Sequence, residues 1–483
     1  MDLSRRLDRV VVALAGGVAA VAGSYAAVGD APAFVATPIA NAAVTLAPGT
    51  LVTLAITILG DLGSKLAYGG GLAATAFVLG AVAGGARLLA ERAGRPLAGP
   101  LVGGVAVTFV GAALSGDATS AVGAGVGAAL VATVVDLGAT AETTSAARRS
   151  VLAGVATLAI GTFAVGGRRA FTPASETESV PIPDDVAALL AEAEEKSFDA
   201  ERLEPLVSDN FYTVDIASVD PAPDRDEWSV RIHGAVGEET TYTFEDIEAM
   251  DHDHQFNTLR CVGEQLNGRK LDTALWTGVP LMDLLESADL QGDYVMLRAA
   301  DGFYEEFPVD ALESGFLAVG MNGQPLPRAH GAPARALIPG HWGEINVKWL
   351  TEIEILDEAA TGYWEERGWH GTGPVNTVAK LWAENHLDDG RIEVAGPAYA
   401  GTRGIERVEV STDGGETWTD ATLSDPLPGD DVWRHWMYRY DPPAGKHEVV
   451  VRATDGTGTL QPRDEQEAYP NGPSGWVSQT VQP

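Results

Sequence analysis

"MNGQPLPRAHGAPARALIPGHWGEINVKWL" (321–350) is the densest polar constellation in the chain, and its reading decides the fold. His330, Arg335 and Lys348 are interleaved with glycine and proline, the composition of a rigid loop that cradles an anion. Arginine grips a phosphate through two parallel N–H bonds, and lysine adds a point charge. Asn322-Gly323 predicts a tight turn between two strands. The plainer reading is turn residues with solvated charges. It weakens in a chain with 67 Asp and Glu against 32 Lys and Arg, where clustered cations are out of keeping with their surroundings.

Upstream, "FNTLRCVGEQLNGRKLDTALWTGVP" (256–280) holds the single cysteine, Cys261. "FNTLR" reads as a strand and "VGEQLNG" as a loop, so the thiol stands at a strand end. A lone cysteine is more often a packed small hydrophobe. The functional readings are a nucleophile with a nearby base, His330 or His341, or a thiolate metal ligand. One cysteine excludes an intramolecular disulfide, a four-thiolate zinc site and an iron–sulfur cluster held by this chain alone.

Around these stretches the texture is mixed α/β from about 206. "EWSVRIHGAV" (227–236) and "VKWLTEIEIL" (347–356) predict strands, and "PLMDLLESA" (280–288) predicts a helical piece. After about 373 helical periodicity disappears. "IERVEVSTDGGETWTDATL" (405–423) predicts a hairpin turning at Asp413-Gly414-Gly415, with Val408 and Val410 on one face, and "HEVVVRATDGTG" (447–458) predicts another strand. Some 110 residues of this kind suggest an immunoglobulin-like sandwich. Neither a dinucleotide-binding GxGxxG unit nor a Walker loop stands out.

The first 170 residues differ in kind. They are Ala/Gly/Val/Leu-rich, with apolar runs near 10–28, 66–90, 98–115, 118–137 and 150–167, each long enough for a hydrocarbon core of ~30 Å. Pro38 and Pro48 interrupt the apolar stretch 33–62, which is expected not to cross. Five spans place the arginine groups 5/6/9, 87/92/95 and 148/149 inside and the remainder of the chain outside; Arg168 and Arg169 then fall outside, against the rule. "AARRSVLAGVATLAIGTFAVGG" (146–167) also resembles a twin-arginine export signal, used for domains that fold around a cofactor before crossing. This part holds no histidine and only Met1, so it cannot ligate a haem and reads as an anchor. An acidic linker, 171–205, follows with one helical stretch.

Charge divides the same way. Residues 1–170 carry 8 acids against 11 Lys and Arg, and the remaining 59 acids stand against 21 bases, within a net −35. Such a surface repels nucleic acid, and it matches a soluble domain adapted to high salt.

"LRCVGEQLNG…ALWTGVPLMDLL", the 321–350 stretch and "VEVSTDGGETW" together resemble the sulfite oxidase family of molybdopterin-dependent oxidoreductases, over roughly 206–483. To the all-α transmembrane bundle read from the apolar runs (1–170), the resemblance adds an α+β molybdopterin-binding domain (206–372). An all-β, immunoglobulin-like dimerisation domain (373–483) would complete the chain. It implies that Cys261 is the protein thiolate on molybdenum, beside the pterin dithiolene, a soft ligand suited to a metal already bound by sulfur. By the same resemblance His330 and Arg335 hold the pterin and its phosphate, and Asn346, Val347 and Lys348 complete that pocket. Asn210, Tyr212 and Thr213 match an earlier cofactor-contacting segment, Asp301 is a further match, and Trp369 aligns with the family's active-site tyrosine. The chain departs from the pattern at Val214, and at Gly263-Glu264-Gln265, where relatives carry arginine. A sulfite pocket needs cations, and Glu264 would oppose the dianion, so these departures argue against sulfite.

The implied function is oxygen-atom transfer on a small substrate at a molybdenum–molybdopterin cofactor, on a multi-pass membrane protein whose catalytic domain is extracytoplasmic. Electrons would pass to or from an external carrier. Sulfite dehydrogenation and sulfoxide reduction are the alternatives within the class, and a non-catalytic membrane receptor is the alternative outside it.

Overall fold

A computed structural model describes residues 3–29, 31–48, 61–140, 180–217 and 219–483. The chain divides into two compact units, Met1–Glu178 with Asp215–Ala222, and Ser179–Val214 with Pro223–Pro483.

In the first unit, apolar runs without interior proline become helices: α1 (Leu3–Val28), α2 (Thr37–Thr45), α3 (Asp61–Arg92), α4 (Gly99–Ser115) and α5 (Ala118–Thr140). Four of them contain segments long and apolar enough to cross a membrane, Arg9–Val28, Lys65–Arg92, Pro96–Ser115 and Ala118–Asp136. These match four of the five expected spans; the fifth, 150–167, and the Arg148-Arg149 pair lie outside the described residues. α2 has nine residues, about 14 Å of helix, too short to cross. Small residues let the backbones touch. A Cβ on Gly17 would stand 1.8 Å from the Ala76 carbonyl oxygen, and one on Gly23 2.2 Å from that of Gly123. Large apolar side chains such as Phe77, Leu101 and Phe109 face outward, as a lipid-facing surface requires. Arg9 pairs with Glu91 at 2.9 Å and Arg87 pairs with Asp136, so the first two arginine groups share one end of the bundle.

The second unit opens with α6 (Asp184–Lys196), within the acidic stretch. Val186 and Ala193 bury its apolar stripe, and Lys196 Nζ reaches the Pro426 carbonyl at 2.7 Å. Two sheets then carry the mixed α/β part. The first has the order β2 (Thr240–Thr243), β1 (Ser229–Gly234), β10 (Leu350–Leu356), β5 (Tyr294–Ala299), β6 (Tyr304–Pro308), antiparallel except for the β1–β10 pair. The second runs β3 (Asp253–Arg260), β4 (Leu271–Pro280), β7 (Phe316–Met321), β8 (Gln324–Pro325), with β9 (Arg335–Leu337) also on β7. α7 (Phe244–Glu248), closed by a Thr243–Asp246 capping box, and α8 (Leu281–Leu285) pack Phe244, Ile247, Leu281 and Leu284 into a core with Val230, Ile232, Leu297 and Ile353. Asn322 (φ +52°) and Gly323 (φ +73°) make the expected two-residue turn between β7 and β8.

From residue 373 onward the described chain is strands. One antiparallel sheet runs β11 (Val378–Ala379), β13 (Ile392–Tyr399), β17 (Arg434–Tyr440), β16 (Thr422–Leu423), with β12 (Ala383–His386) also on β13. The other runs β15 (Thr419–Asp420), β14 (Ile405–Ser411), β18 (His447–Asp455), β19 (Val477–Val481). The expected 405–423 hairpin closes only as far as β15. Thr422 then pairs with Met437 in the other sheet, because the strand changes layers at a corner. Asp413 organises the turn, accepting from the amides of Glu416 and Thr417 and from the Thr417 hydroxyl.

Candidate functional site

Strand β3 pairs with β4 residue by residue from Asp253–Gly278 to Arg260–Leu271, and Cys261 is the first residue beyond it. The Cys261 amide donates to the Lys270 carbonyl at 3.0 Å, so the ten-residue loop 261–270 is closed across its own ends. Both faces of β3 are covered over its last five residues, and the Arg260 side chain is fully buried. Its Nε donates to Glu264 Oε1 at 2.8 Å, and its Nη1 and Nη2 reach the carbonyls of Asn376 at 2.9 Å and Pro473 at 3.3 Å. Lys380, also fully buried, donates to the same Glu264 oxygen and to the Gly268 carbonyl at 2.8 Å. Glu264 Oε2 accepts the Lys270 amide at 3.1 Å.

This corrects the expectation drawn from Glu264. The carboxylate is 4% exposed and bonded to two cations, leaving an excess of one positive charge in the triad. The charge read as repelling an anion is thus bonded to two cations inside the protein, although it still acts on the Cys261 thiol and the Tyr212 phenol.

Cys261 itself is half-buried, and its thiol is pushed up to about 11. Burial is the main cause, with Glu264 and Glu344 adding to it, and Lys270 and the Gly263 amide opposing it. A cysteine nucleophile needs the reverse, a thiolate stabilised by a base or cation. His330 does not serve as one. Burial, Arg335 and Lys348 hold its imidazole down at about 3, so it stays neutral, with its ring edge-on to Phe211 at 5.4 Å. A thiol in this setting ionises when a metal binds it.

The 321–350 stretch folds back on itself around Gly331, whose φ of +111° favours glycine; a Cβ there would stand 3.0 Å from the Cβ atoms of both Arg335 and Lys348. Arg335 donates to the carbonyls of His330 at 3.2 Å and Asn346 at 2.9 Å and lies over the Trp276 ring. Asn346 is buried, accepting the Ile338 amide at 2.7 Å and donating to the Trp342 carbonyl at 3.0 Å. Val347 fills the core while its carbonyl accepts the Ala336 amide, and Lys348 Nζ reaches the Ala329 carbonyl at 2.9 Å. His330, Arg335, Asn346, Val347 and Lys348 thus form one cluster.

Tyr212 joins this cluster to Cys261. Its amide donates to Asp272 Oδ2 at 2.8 Å and its ring stacks on Phe211. Burial, then the charges of Cys261, Asp272 and Glu264, hold its phenol well above the ordinary range, while Arg335 acts the other way. Its hydroxyl oxygen lies 2.9 Å from where a Cβ on Gly343 would stand, so only glycine leaves room there. Asn210 and Thr213 are exposed on either side of this segment. Asp301 is set in the β5–β6 turn, accepting the Phe303 amide at 2.9 Å, next to the Ala300–Trp349 backbone bond. Trp369 is 2% exposed and lies edge-on to Trp364 and to Tyr469, with centroids 6.5 and 5.2 Å away.

Sequence reasoning missed Arg260, Lys380, Tyr469, the buried Glu305 and the half-buried Glu344 and Glu365. Lys380, Tyr469 and the Asn376 and Pro473 carbonyls come from the C-terminal strands, more than 100 residues from the cysteine loop, and no local pattern marks them. Asn267 and Arg269 of the loop help line an open cavity of about 480 Å³ with Arg202, Trp382, Glu384 and His386.

The donor set fits a metal cofactor that already carries sulfur and an anionic tail: one deprotonatable thiol without a base, beside a cationic loop of close-packed backbone. Comparisons with known proteins agree. The family profile described as the oxidoreductase molybdopterin binding domain matches residues 217–364, and the one described as the Mo-co oxidoreductase dimerisation domain matches 375–470. Mitochondrial sulfite oxidase of Homo sapiens is 27% identical over 333 residues, covering 56% of this chain and 60% of its own length. The uncharacterized oxidoreductase YuiH of Bacillus subtilis is 30% identical over 171 residues, covering 35% of this chain and 84% of its own. The chain thus spans only three-fifths of the human protein's length. The solved sulfane dehydrogenase SoxCD of Paracoccus pantotrophus is 20% identical with a TM-score of 0.47, covering 64% of this chain and 92% of that one.

Proposed function

Because the chain belongs to the sulfite oxidase family of molybdopterin-dependent oxidoreductases, we propose that it is a membrane-anchored enzyme that moves an oxygen atom to or from a small substrate. When bound, the molybdenum–molybdopterin group supplies the two-electron oxygen-transfer chemistry. The observation that carries the reading is the packing at Gly343, where a Cβ would stand 2.9 Å from the Tyr212 hydroxyl and 3.2 Å from the Arg260 carbonyl, so that the end of the cysteine strand, Tyr212 and the cationic loop meet at one point.

Within that site Cys261 is the metal's protein ligand, and the 261–270 loop with its buried Arg260–Glu264–Lys380 triad holds the sulfur in place. His330, Arg335, Asn346, Val347 and Lys348 hold the pterin and its phosphate. Asn210, Tyr212, Thr213 and Asp301 complete that grip. Trp369 walls the substrate side together with Tyr469, excluding water and limiting size. Sulfite is the first substrate to test, since the Glu264 carboxylate is bonded to Arg260 and Lys380, and sulfoxides come next.

The remaining features extend the reading. Residues 373–483 act as an immunoglobulin-like dimerisation domain, the catalytic part stands outside the cell, and the acidic surface is suited to high salt. The Arg148-Arg149 segment would direct export of the folded domain. With no histidine, and no methionine beyond Met1, in residues 1–170, and a single cysteine, too few for a cluster, an external one-electron carrier completes the cycle.

Metal and pterin analysis of the purified full-length chain tests the proposal. Wild type is expected to hold one molybdenum and one pterin per chain, and Cys261→Ser is expected to lose molybdenum while staying folded. A well-folded wild type that contains no molybdenum after expression in a cofactor-producing host would overturn it.

A further inference from the structure

Trp349 has a backbone that bulky residues rarely adopt. Its φ is +50°, in the left-handed region, and it is 1% exposed. Glycine or asparagine takes such a φ at little cost, so a tryptophan kept there must be held by what its side chain and backbone bond. It stands between Lys348 and the first residue of β10, where the cationic loop enters the first sheet.

In an extended chain successive side chains leave on opposite sides. Here Lys348 and Trp349 both reach one target, the turn Arg328–His330 and the Gly331 that ends it. Trp349 Nε1 donates to the Arg328 carbonyl at 3.0 Å, and Lys348 Nζ donates to the Ala329 carbonyl at 2.9 Å. Arg335 Nη1 donates to the His330 carbonyl at 3.2 Å, and the Trp349 amide to the Gly331 carbonyl at 3.3 Å. Four successive carbonyls, 328 to 331, are thus each held by a donor from residues 335–349. Trp349 supplies two of those donors, one from its ring and one from its backbone.

The same residue fixes its neighbour. The Lys348 ammonium lies 4.5 Å from the centre of the Trp349 ring, which attracts the cation through its π face. Strand β10 is set by its ladders with β1 and β5, so the φ of Trp349 decides the direction in which Lys348 arrives. That direction brings Lys348 so close to the turn that a Cβ on Gly331 would stand 3.0 Å from the Lys348 Cβ. On its other side Trp349 accepts the Ala300 amide at 2.9 Å, next to Asp301.

We propose that Trp349 is a positioning residue for the pterin grip, acting through the turn that carries His330 and through Lys348. The inference rests on the molybdopterin reading above. Its left-handed backbone and indole N–H hold the turn and the lysine in place before the anionic group of the pterin arrives. A long cationic side chain that is ordered only on binding gives up rotamer freedom at that moment, which weakens the grip. One already held against a ring and a carbonyl has given it up in folding.

Pterin retention tests this without turnover. The full-length chain, loaded during expression, is incubated in detergent, and the pterin still bound is read from its fluorescence after oxidation. Trp349→Phe keeps a ring beside Lys348 and removes the indole donor, while the Arg328 carbonyl keeps the Gly331 amide at 3.1 Å. It should release pterin roughly tenfold faster than wild type, the scale of one lost buried hydrogen bond. Trp228→Phe is the structural control. Trp228 is 4% exposed, and its Nε1 donates to the Leu350 carbonyl at 2.8 Å, so the variant also loses a buried indole bond beside β10. It should lower the melting temperature to a similar degree and release pterin at the wild-type rate. In a His330→Ala background, Trp349→Phe should add less than about threefold, because coupled residues do not act additively. Release from Trp349→Phe at the wild-type rate, or equally fast release from Trp228→Phe, overturns the positioning role alone. A full tenfold step in the His330→Ala background overturns action through the turn. A folded wild type without pterin overturns the molybdopterin reading and the positioning role with it.

Discussion

Replacing Glu264 by glutamine should destabilise the protein far more than removing Lys380, although the two residues share one bond. Glu264→Gln leaves Arg260 and Lys380, each fully buried, facing a neutral amide. Two uncompensated interior cations cost about 3–5 kcal/mol when a buried pair is broken this way. Lys380→Met leaves the Arg260–Glu264 bond at 2.8 Å, and the Gly268 carbonyl keeps the Trp382 indole N–H at 3.1 Å. Burial already lowers the Lys380 ammonium to about 8, so its charge is held at some cost, and methionine fills a similar volume. A loss of ~1 kcal/mol or less follows. The gap of ~3 kcal/mol is about a hundredfold in the unfolding constant. Thermal melting of the full-length chain in detergent, followed by tryptophan fluorescence at pH 7, measures it. A second signature is pH. A base whose folded value lies below its unfolded one contributes stability above the unfolded value and loses it as pH falls toward the folded one. Wild type should therefore gain on Lys380→Met between about pH 8 and ~10.5. Equal losses in the two variants, or a larger loss for Lys380→Met, would refute the charge argument.

Two further outcomes follow from the same unit. Gly472→Ala should cost at least ~2 kcal/mol, because φ is +82° and the new Cβ would stand 2.3 Å from the Trp342 ring; an unchanged melting point would contradict this. Asp272, raised to about 7 chiefly by burial, binds its proton more tightly folded than unfolded. Its contribution is full below pH ~4 and is lost as pH rises through about 7. Asp272→Asn should flatten the fall of melting temperature across that window, and an identical slope in both proteins would exclude Asp272 as its source.

What the sequence discloses is whatever depends on near neighbours. Cys261 at a strand end, the Asn322-Gly323 turn, four of the apolar spans and the strand-only C-terminal part are set by local pattern, and the structure has each where it was expected. His330, Arg335, Asn346, Val347 and Lys348 cluster because one loop folds on itself within 20 residues. Glu264 was misread for the opposite reason. A glutamate in a loop reads as solvated, and its burial depends on Lys380, 116 residues away, and on Arg260, whose remaining partners are the distant Asn376 and Pro473 carbonyls. Charge burial is a property of pairings, and pairings across domains leave no periodicity to read.

The bonds from Arg260 to Asn376 and Pro473, with Lys380 on Glu264, also bear on how this chain can be recombined. The residue preceding the candidate ligand is held by backbone from the strand-only region, so that region is no interchangeable cassette. A graft that replaces it with a relative's version must carry a cation at 380 and carbonyls at 376 and 473. Otherwise it strands Arg260 and Glu264 beside the thiol. Gene-fusion boundaries drawn near residue 373 would cut through the support of the centre they were meant to preserve.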